Sequence, residues 1–455
     1  MKKFILVCLF FCLFFLISCG NGAKNEDKTG SGEPHNDEDT VDADYSLDDN
    51  ETTEETTEPE LNDDDTDSDT TQDSGDPTTD GEPERVTDLS DAGTANCYIV
   101  QTAGNYSFDA TVRGNGEIVE GVDFAGEKLD SKGVKLIWQS DRNGLIDSLS
   151  LKDGKIYFSS NGKNGNALIA VLDEAGNIIW SWHIWFLNEE ISDVKTANGV
   201  MVMDRNLGAT SLDFDSPASH GLLYQWGRKD PFPASPLVSG GTTSTMPVPV
   251  YDFDGNEVEI AHSSWENSEN NTFEYAISNP TTVLSNKSQY SECRDWLRKE
   301  FSNPVLWGGK GGKKSLFDPC PAGYRVPKLG TFDFFTSSGG YETDISGFSV
   351  FDINSDGVID GNDYKNGWYI LLDAALDSYS YFPAATRYDG SYAMLMGSKA
   401  GLWGNYWYAD ADDADDSSVP CGAYALAFQF GDAVSASPKA IGGRADAYSV
   451  RCVKE

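Results

Sequence analysis

The sequence is poor in the residues that most enzyme and metal centres need. It has four histidines in 455 residues: His35, His183, His220 and His262, too scattered to assemble a zinc site. None of the eight cysteines stands in a CxxC pair. Basic residues are scarce: 33 Lys/Arg against 74 Asp/Glu give a formal charge of −41, which would repel a phosphate backbone and disfavours nucleic-acid binding. The only long apolar run, Phe4–Ile17, is too short to span a bilayer as a helix. No helical period shows across residues 95–187.

That apolar run follows Lys2 and Lys3 and ends in Leu16-Ile17-Ser18-Cys19-Gly20. A basic start, an apolar middle and small residues at a cut site make a targeting segment. Its end resembles a bacterial lipobox, in which Cys19 supplies the sulfur that is lipid-modified before cleavage. Residues 1–19 are then a lipoprotein signal peptide and the mature chain is lipid-anchored, each buried methylene contributing about 0.8 kcal/mol to membrane attachment. Residues 20–92 are rich in Thr, Ser, Asp, Glu, Gly and Pro. Between 21 and 90 stand 26 Asp/Glu against 3 Lys/Arg. Such a segment buries too little to offset its ordering entropy, so it is expected to be a disordered acidic linker acting as a stalk.

From Asn96 the composition changes. Asn96–Val100, Gly104–Gly114, Gly133–Ser140, Lys155–Ser160 and Ala167–Val171 have strand composition between Gly/Asn/Asp turns. Ile178–Leu187 alternates Trp180, Trp182 and Ile184 with Ser181 and His183, the pattern of a half-buried strand. The expectation is a β-sandwich over 93–190, with the tryptophans in the core or at a domain junction and His183 facing water. Tyr251–Asn256 reads as a hairpin turn, and Glu292–Phe301 as a short helix. The whole is expected to be mostly β with an α+β C-terminal domain.

Five motifs follow in order: MDRNLGAT (203–210), GLLYQWGRKDPF (221–232), DPCPAGYRVP (318–327), YFPAATR (381–387) and YSVRCVKE (448–455). Together they resemble the major paralogous domain family first named from Fibrobacter, common in exported proteins of Gram-negative bacteria. The resemblance covers residues 199–455. It implies a C-type-lectin-like or formylglycine-generating-enzyme-like fold over 195–455 and a place in the Gram-negative envelope, at the outer membrane or cell surface. Closing Cys320 to Cys452 would tie the last strand to the middle of this domain. Cys293 and Cys421 are available for a second bond, which would leave Cys97 over.

The sharpest local signal is Asp352–Asp363, DINSDGVIDGND. Asp352, Asn354 and Asp356 offer oxygens at loop positions 1, 3 and 5. Gly357 takes the sharp turn, Val358 offers its carbonyl, and Asp360 and Asp363 stand at 9 and 12. The loop resembles a dockerin calcium loop, without the second loop of a dockerin, and implies a structural Ca²⁺. The glycan-binding tripeptides of C-type lectins are missing: the nearest text is Trp403-Gly404-Asn405. So is the catalytic cysteine pair of formylglycine-generating enzymes. Tyr388, Trp403, Asn405, Tyr406, Tyr408, Asp410 and Asp412, with Trp407 and Asp413, have instead the composition of a recognition surface. The expected function is a non-enzymatic, adhesin-like module with an unidentified protein or glycan ligand. The alternative is a structural part of a surface assembly such as a pilus tip, ahead of a sulfatase-modifying type of enzyme.

Overall fold

The β-branched and aromatic segments of the first half form eight strands: β1 (Val86–Asp88), β2 (Cys97–Val100), β3 (Gly104–Asp109), β4 (Gly133–Gln139), β5 (Ile146–Lys152), β6 (Lys155–Ser160), β7 (Gly165–Leu172) and β8 (Ile178–Phe186). They belong to a computed structural model that describes residues 85–455 except 125, 240–244, 264–267, 309–311, 365, 413–416 and 432. The expected signal peptide, Cys19 and most of the expected linker lie outside the described residues. One sheet runs β1-β3-β6-β5; the other runs β4-β7-β8-β2 and is extended at β4 by the hairpin Val250–Tyr251/Glu257–Val258. Phe108 on β3 meets Trp182 on β8 at 5.3 Å, and Phe158 on β6 meets Phe186 at 6.4 Å, so the sheets face each other as a sandwich.

Folded structure begins before the expected linker ends. Val86–Asp88 pairs in parallel with Asn105–Ser107, and Asp88 caps the turn Leu89–Ala92 by accepting from Ser90 N at 3.0 Å. Lys155 pairs with Asp88, so this acidic residue is held in the sheet. The expected boundary at 190–195 likewise does not divide two cores. Pro83–Glu455 is one compact unit, and a single buried cluster runs from Cys97 and Trp182 to Trp407 and Cys452.

Strand β8 is where the halves join. Trp182 and Phe186 point at the first sheet, while Ser181 and His183, the latter expected to face water, are both 1% exposed. Ser181 Oγ donates to Asp230 at 2.6 Å and His183 Nε2 to Asn166 Oδ1 at 2.9 Å, and Asn166 in turn donates to the Gly208 carbonyl at 2.9 Å. The second half covers this face, which alternation along one strand does not reveal.

In the second half six strands form the spine of an eight-stranded sheet: Phe232–Pro233, Leu222–Gln225, Ala447–Ser449, Trp403–Asp412, Gly422–Gln429 and Ser435–Gly443. A smaller sheet joins Tyr324–Arg325, Val453–Lys454, Met201–Met203 and Asp193–Lys195. A second core, built on Phe332, Phe335, Trp368, Phe382 and Phe428, lies under the hairpin Gly367–Asp373/Ser378–Pro383. Among the described residues the one α-helix, α1 (Phe273–Ser278), starts at Thr272, whose hydroxyl accepts from Tyr275 N. The helix expected over Glu292–Phe301 is not formed, apart from a 3₁₀ turn at Lys299–Phe301. Gln289 donates to the carbonyls of Asp295 and Leu297 at 3.1 and 2.6 Å, and Asp295 accepts from Leu297 N. Side chains thus take the backbone groups that a helix would have paired.

Candidate functional site

The five motifs meet in the interior. Arg451 is fully buried; it donates to Asn206 Oδ1 from Nε and Nη2 at 3.0 and 2.8 Å, to the Tyr381 carbonyl at 2.7 Å and to Ser380 Oγ at 2.9 Å. Its guanidinium lies 4.1 Å from the centre of the Phe382 ring. MDRNLGAT, YFPAATR and YSVRCVKE are therefore joined by one side chain. Arg205, beside it, pairs with Glu189 at 2.7 Å and Asp204 at 2.8 Å. In the third motif region, Lys314 Nζ donates to Asp318 and to the carbonyls of Cys320 and Tyr324 at 2.7–2.8 Å, while Asp318 accepts from the amides of Cys320 and Val326. These bonds shape the turn that carries Cys320. Cys320 is bonded to Cys452 and Cys293 to Cys421; Cys97 is free, and burial pushes its thiol well up, away from the reactive thiolate.

A Ser–Lys–Asp cluster, with Lys229 and Asp230 from the second motif and Ser181 from β8, has the parts of a nucleophilic site. Lys229 Nζ donates to Ser181 Oγ and Asp230 Oδ1 at 2.5 and 2.6 Å, under the Trp180 ring at 4.6 Å. Burial pushes the Lys229 ammonium down, with Asp230 opposing. The free space beside it is about 10 Å³, enough for one water at most. Ser181, Lys229 and Asp230 are all buried, and the cluster pins β8 to the second half.

The expected recognition surface is an interior strand, which corrects that reading. Tyr388, Tyr406, Trp407 and Tyr408 are fully buried, and Asn405, Asp410 and Asp412 are buried too. Tyr406 donates to the Pro383 carbonyl, Tyr388 to the Pro233 carbonyl and Trp407 to the Tyr224 carbonyl. Asp410 accepts from Leu329 N at 2.7 Å, and Asp412 from Ser417 Oγ and Tyr424. The strand Trp403–Asp412 runs between Gly422–Gln429 and Ala447–Ser449, with Trp407 and Ala409 in one core and Tyr406 and Tyr408 in the other. Trp403, half-buried at the strand's start, packs under Arg387 and Lys399. Asp413 lies outside the described residues. The unbroken aromatic run was the available signal: both faces apolar means a strand covered on both sides.

The 352–363 loop has the expected turn. Ser355 and Gly357 are left-handed, at φ +57° and +83°. Asp352 accepts from Gly357 N at 2.7 Å, Asn354 from Asp356 N, Asp356 from Val358 N and Asp360 from Asn362 N. Asp363, fully buried, accepts from the amides of Ile353 and Asp360. The oxygen-rich donor set and its order suit a hard cation. Yet among the described residues no three His, Cys, Asp or Glu side chains converge as a cage, because the carboxylates turn to the loop's own amides. Val358 is exposed.

Beside the Cys320–Cys452 bond lies an open cleft of roughly 590 Å³, walled by Asn115 and Glu117 from the first half and by Lys313, Arg325, Lys328 and Lys454 from the second. Its residues come from segments about 200 positions apart, so no local motif could have announced it. The chain matches no protein-family model, no curated protein and no solved structure.

Proposed function

We propose that this protein is a non-enzymatic ligand-binding module of adhesin type, exported, lipid-anchored through Cys19 and held off the membrane by its acidic stalk. Its second half is a major paralogous domain with a C-type-lectin-like fold. The observation that supports this reading is the burial of the Ser181–Lys229–Asp230 cluster and of two of the histidines. Ser181, Lys229 and Asp230 are sealed, and His183 and His220 are fully buried and poor proton carriers, their pKa values pushed down to about 3 and about 4 by desolvation. The motif residues serve as internal ties, and the meeting of three of the five motifs at Arg451 supports the family reading. What such a scaffold offers outside is its loops and its cleft. Glycan and protein arrays probed with the soluble mature chain, calcium present, should give saturable and specific ligands. Self-assembly into polymers with no ligand bound would overturn the reading in favour of a structural component.

The loop 352–363 holds a structural Ca²⁺ through Asp352, Asn354, Asp356, the Val358 carbonyl, Asp360 and Asp363. The ion would draw together carboxylates now turned to backbone amides and so fix an inserted loop. At a hundredfold excess over Kd, calcium should stabilise the fold by roughly 2–3 kcal/mol, read as a higher Tm. Asp356→Ala should abolish that gain. A Tm insensitive to both calcium and a chelator removes the ion from this loop.

A further inference from the structure

Against a background of 74 acidic and 33 basic residues, the cleft beside the clasp gathers five cations, Lys313, Lys314, Arg325, Lys328 and Lys454, against Glu117 and Glu455. Two of the five are already neutralised. Lys314 is buried against Asp318 at 2.8 Å, and Lys454 reaches Asp193 at 2.8 Å. Lys313 and Lys328 are exposed and have no acidic partner among the described residues. Arg325 spends Nη1 on the Gly312 carbonyl at 3.0 Å and Nε on the Val326 carbonyl at 3.3 Å, while its sheltered Nη2 meets no acceptor.

The walls are rigid. Arg325 lies on a strand paired with Val453, one residue from the Cys452 bond. Asn115 donates to the Lys314 carbonyl at 2.9 Å, which locks the first half to this rim. Gly312 cannot carry a side chain, since a Cβ there would lie 1.4 Å from the Gly308 oxygen. Arg325, held on such a frame by two hydrogen bonds, loses little entropy when a ligand arrives. The volume suits a small molecule rather than a polymer. A long polyanion would also run onto the acidic surface beyond the cleft, whereas a short one stays within the reach of these charges, about 10 Å at 0.1 M salt.

We propose that this cleft binds a compact ligand bearing a carboxylate, phosphate or sulfate, with Lys313 and Lys328 supplying charge and Arg325 a directed donor. The inference rests on the ligand-binding reading above and gives it a place and a sign of charge. Isothermal titration of the soluble mature chain with glucuronate, glucose 6-phosphate and N-acetylglucosamine 6-sulfate, with glucose as the neutral control, tests it and separates the three sources. At least one anion should saturate where glucose does not, and should weaken with added salt. The variant Lys313→Glu/Lys328→Glu should weaken it about tenfold or more, while Lys135→Glu, exposed on β4, should not. Tm and circular dichroism show that the variants remain folded. If no anion outbinds glucose, or if the double reversal leaves affinity unchanged, the cleft is not an anion site. A neutral array ligand that survives the double reversal would overturn this inference and leave the ligand-binding function standing.

Discussion

In oxidising buffer, the variant Cys320→Ala/Cys452→Ala should unfold with about 4 kcal/mol less stability than the parent. The two disulfides span 128 and 132 residues and interleave along the chain, from 293 to 421 and from 320 to 452. Each alone would remove about 5 kcal/mol of loop entropy from the unfolded chain. With one already closed, the shortest path around the other falls to roughly 60 residues, so the second contributes about 4 kcal/mol. The folded state loses more than a restraint. Cys320 and Cys452 are fully buried, and the amide of Cys320 and its carbonyl are bonded to Asp318 and Lys314. Removing both bridges should cost about 9 kcal/mol, comparable to the whole stability of an ordinary domain. Denaturant titrations of the two double variants and the quadruple one measure this; Cys97→Ala in every background prevents disulfide exchange. Equal midpoints for parent and Cys320→Ala/Cys452→Ala would show that the clasp is incidental to folding.

The second large effect is acid sensitivity above the range where ordinary carboxylates titrate. His183 donates from Nε2 to Asn166, which leaves its buried Nδ1 without an acceptor; His220 donates from Nδ1 to the Ser235 carbonyl and leaves Nε2 without one. Protonating either ring would place a charge where nothing can receive it. Desolvation therefore holds their pKa values near 3 and 4, against about 6.5 in the unfolded chain. Because the folded values are the depressed ones, stability is complete above pH 6.5 and falls as the pH drops toward them. By pH 4.5 each histidine should have removed roughly 2–3 kcal/mol. Asp295 and Asp446, raised by burial, take up protons on folding and work in the opposite sense. The decisive measurement is thus a difference between variants. His183→Gln and His220→Asn keep the donors and cannot ionise, and they should flatten the stability curve between pH 6.5 and 4.5. An unchanged slope would mean that the rings are hydrated in solution.

How much of this was legible beforehand varies with the range over which each cause acts. Short-range causes were readable. Gly, Asn and Asp between β-branched runs mark turns because few other residues tolerate left-handed backbone, and the hairpin at Tyr251–Asn256 formed as expected, with Gly255 at φ +78°. The Asp352–Asp363 spacing likewise specified its turn, since each carboxylate bonds an amide only a few residues away. The covering of a strand's second face was not readable in this way. Ser181 and His183 alternate with tryptophans as though half-exposed, and only the packing of Asp230 and Gly208 from the second half buries them. Tyr406 and Tyr408 fall in one core and Trp407 in another for the same reason.

By itself, then, the sequence determined a mostly β chain with an acidic leader, the positions of its turns, and the cysteines available to close it. Those properties depend on composition and on neighbours within a few residues. The tertiary structure alone decided that Arg451 joins three distant motifs, that the aromatic strand lies inside, and that Lys313, Arg325 and Lys328 share a cleft with Asn115. Burial and electrostatic potential are set by what the rest of the chain brings alongside, and separation in sequence says little about that.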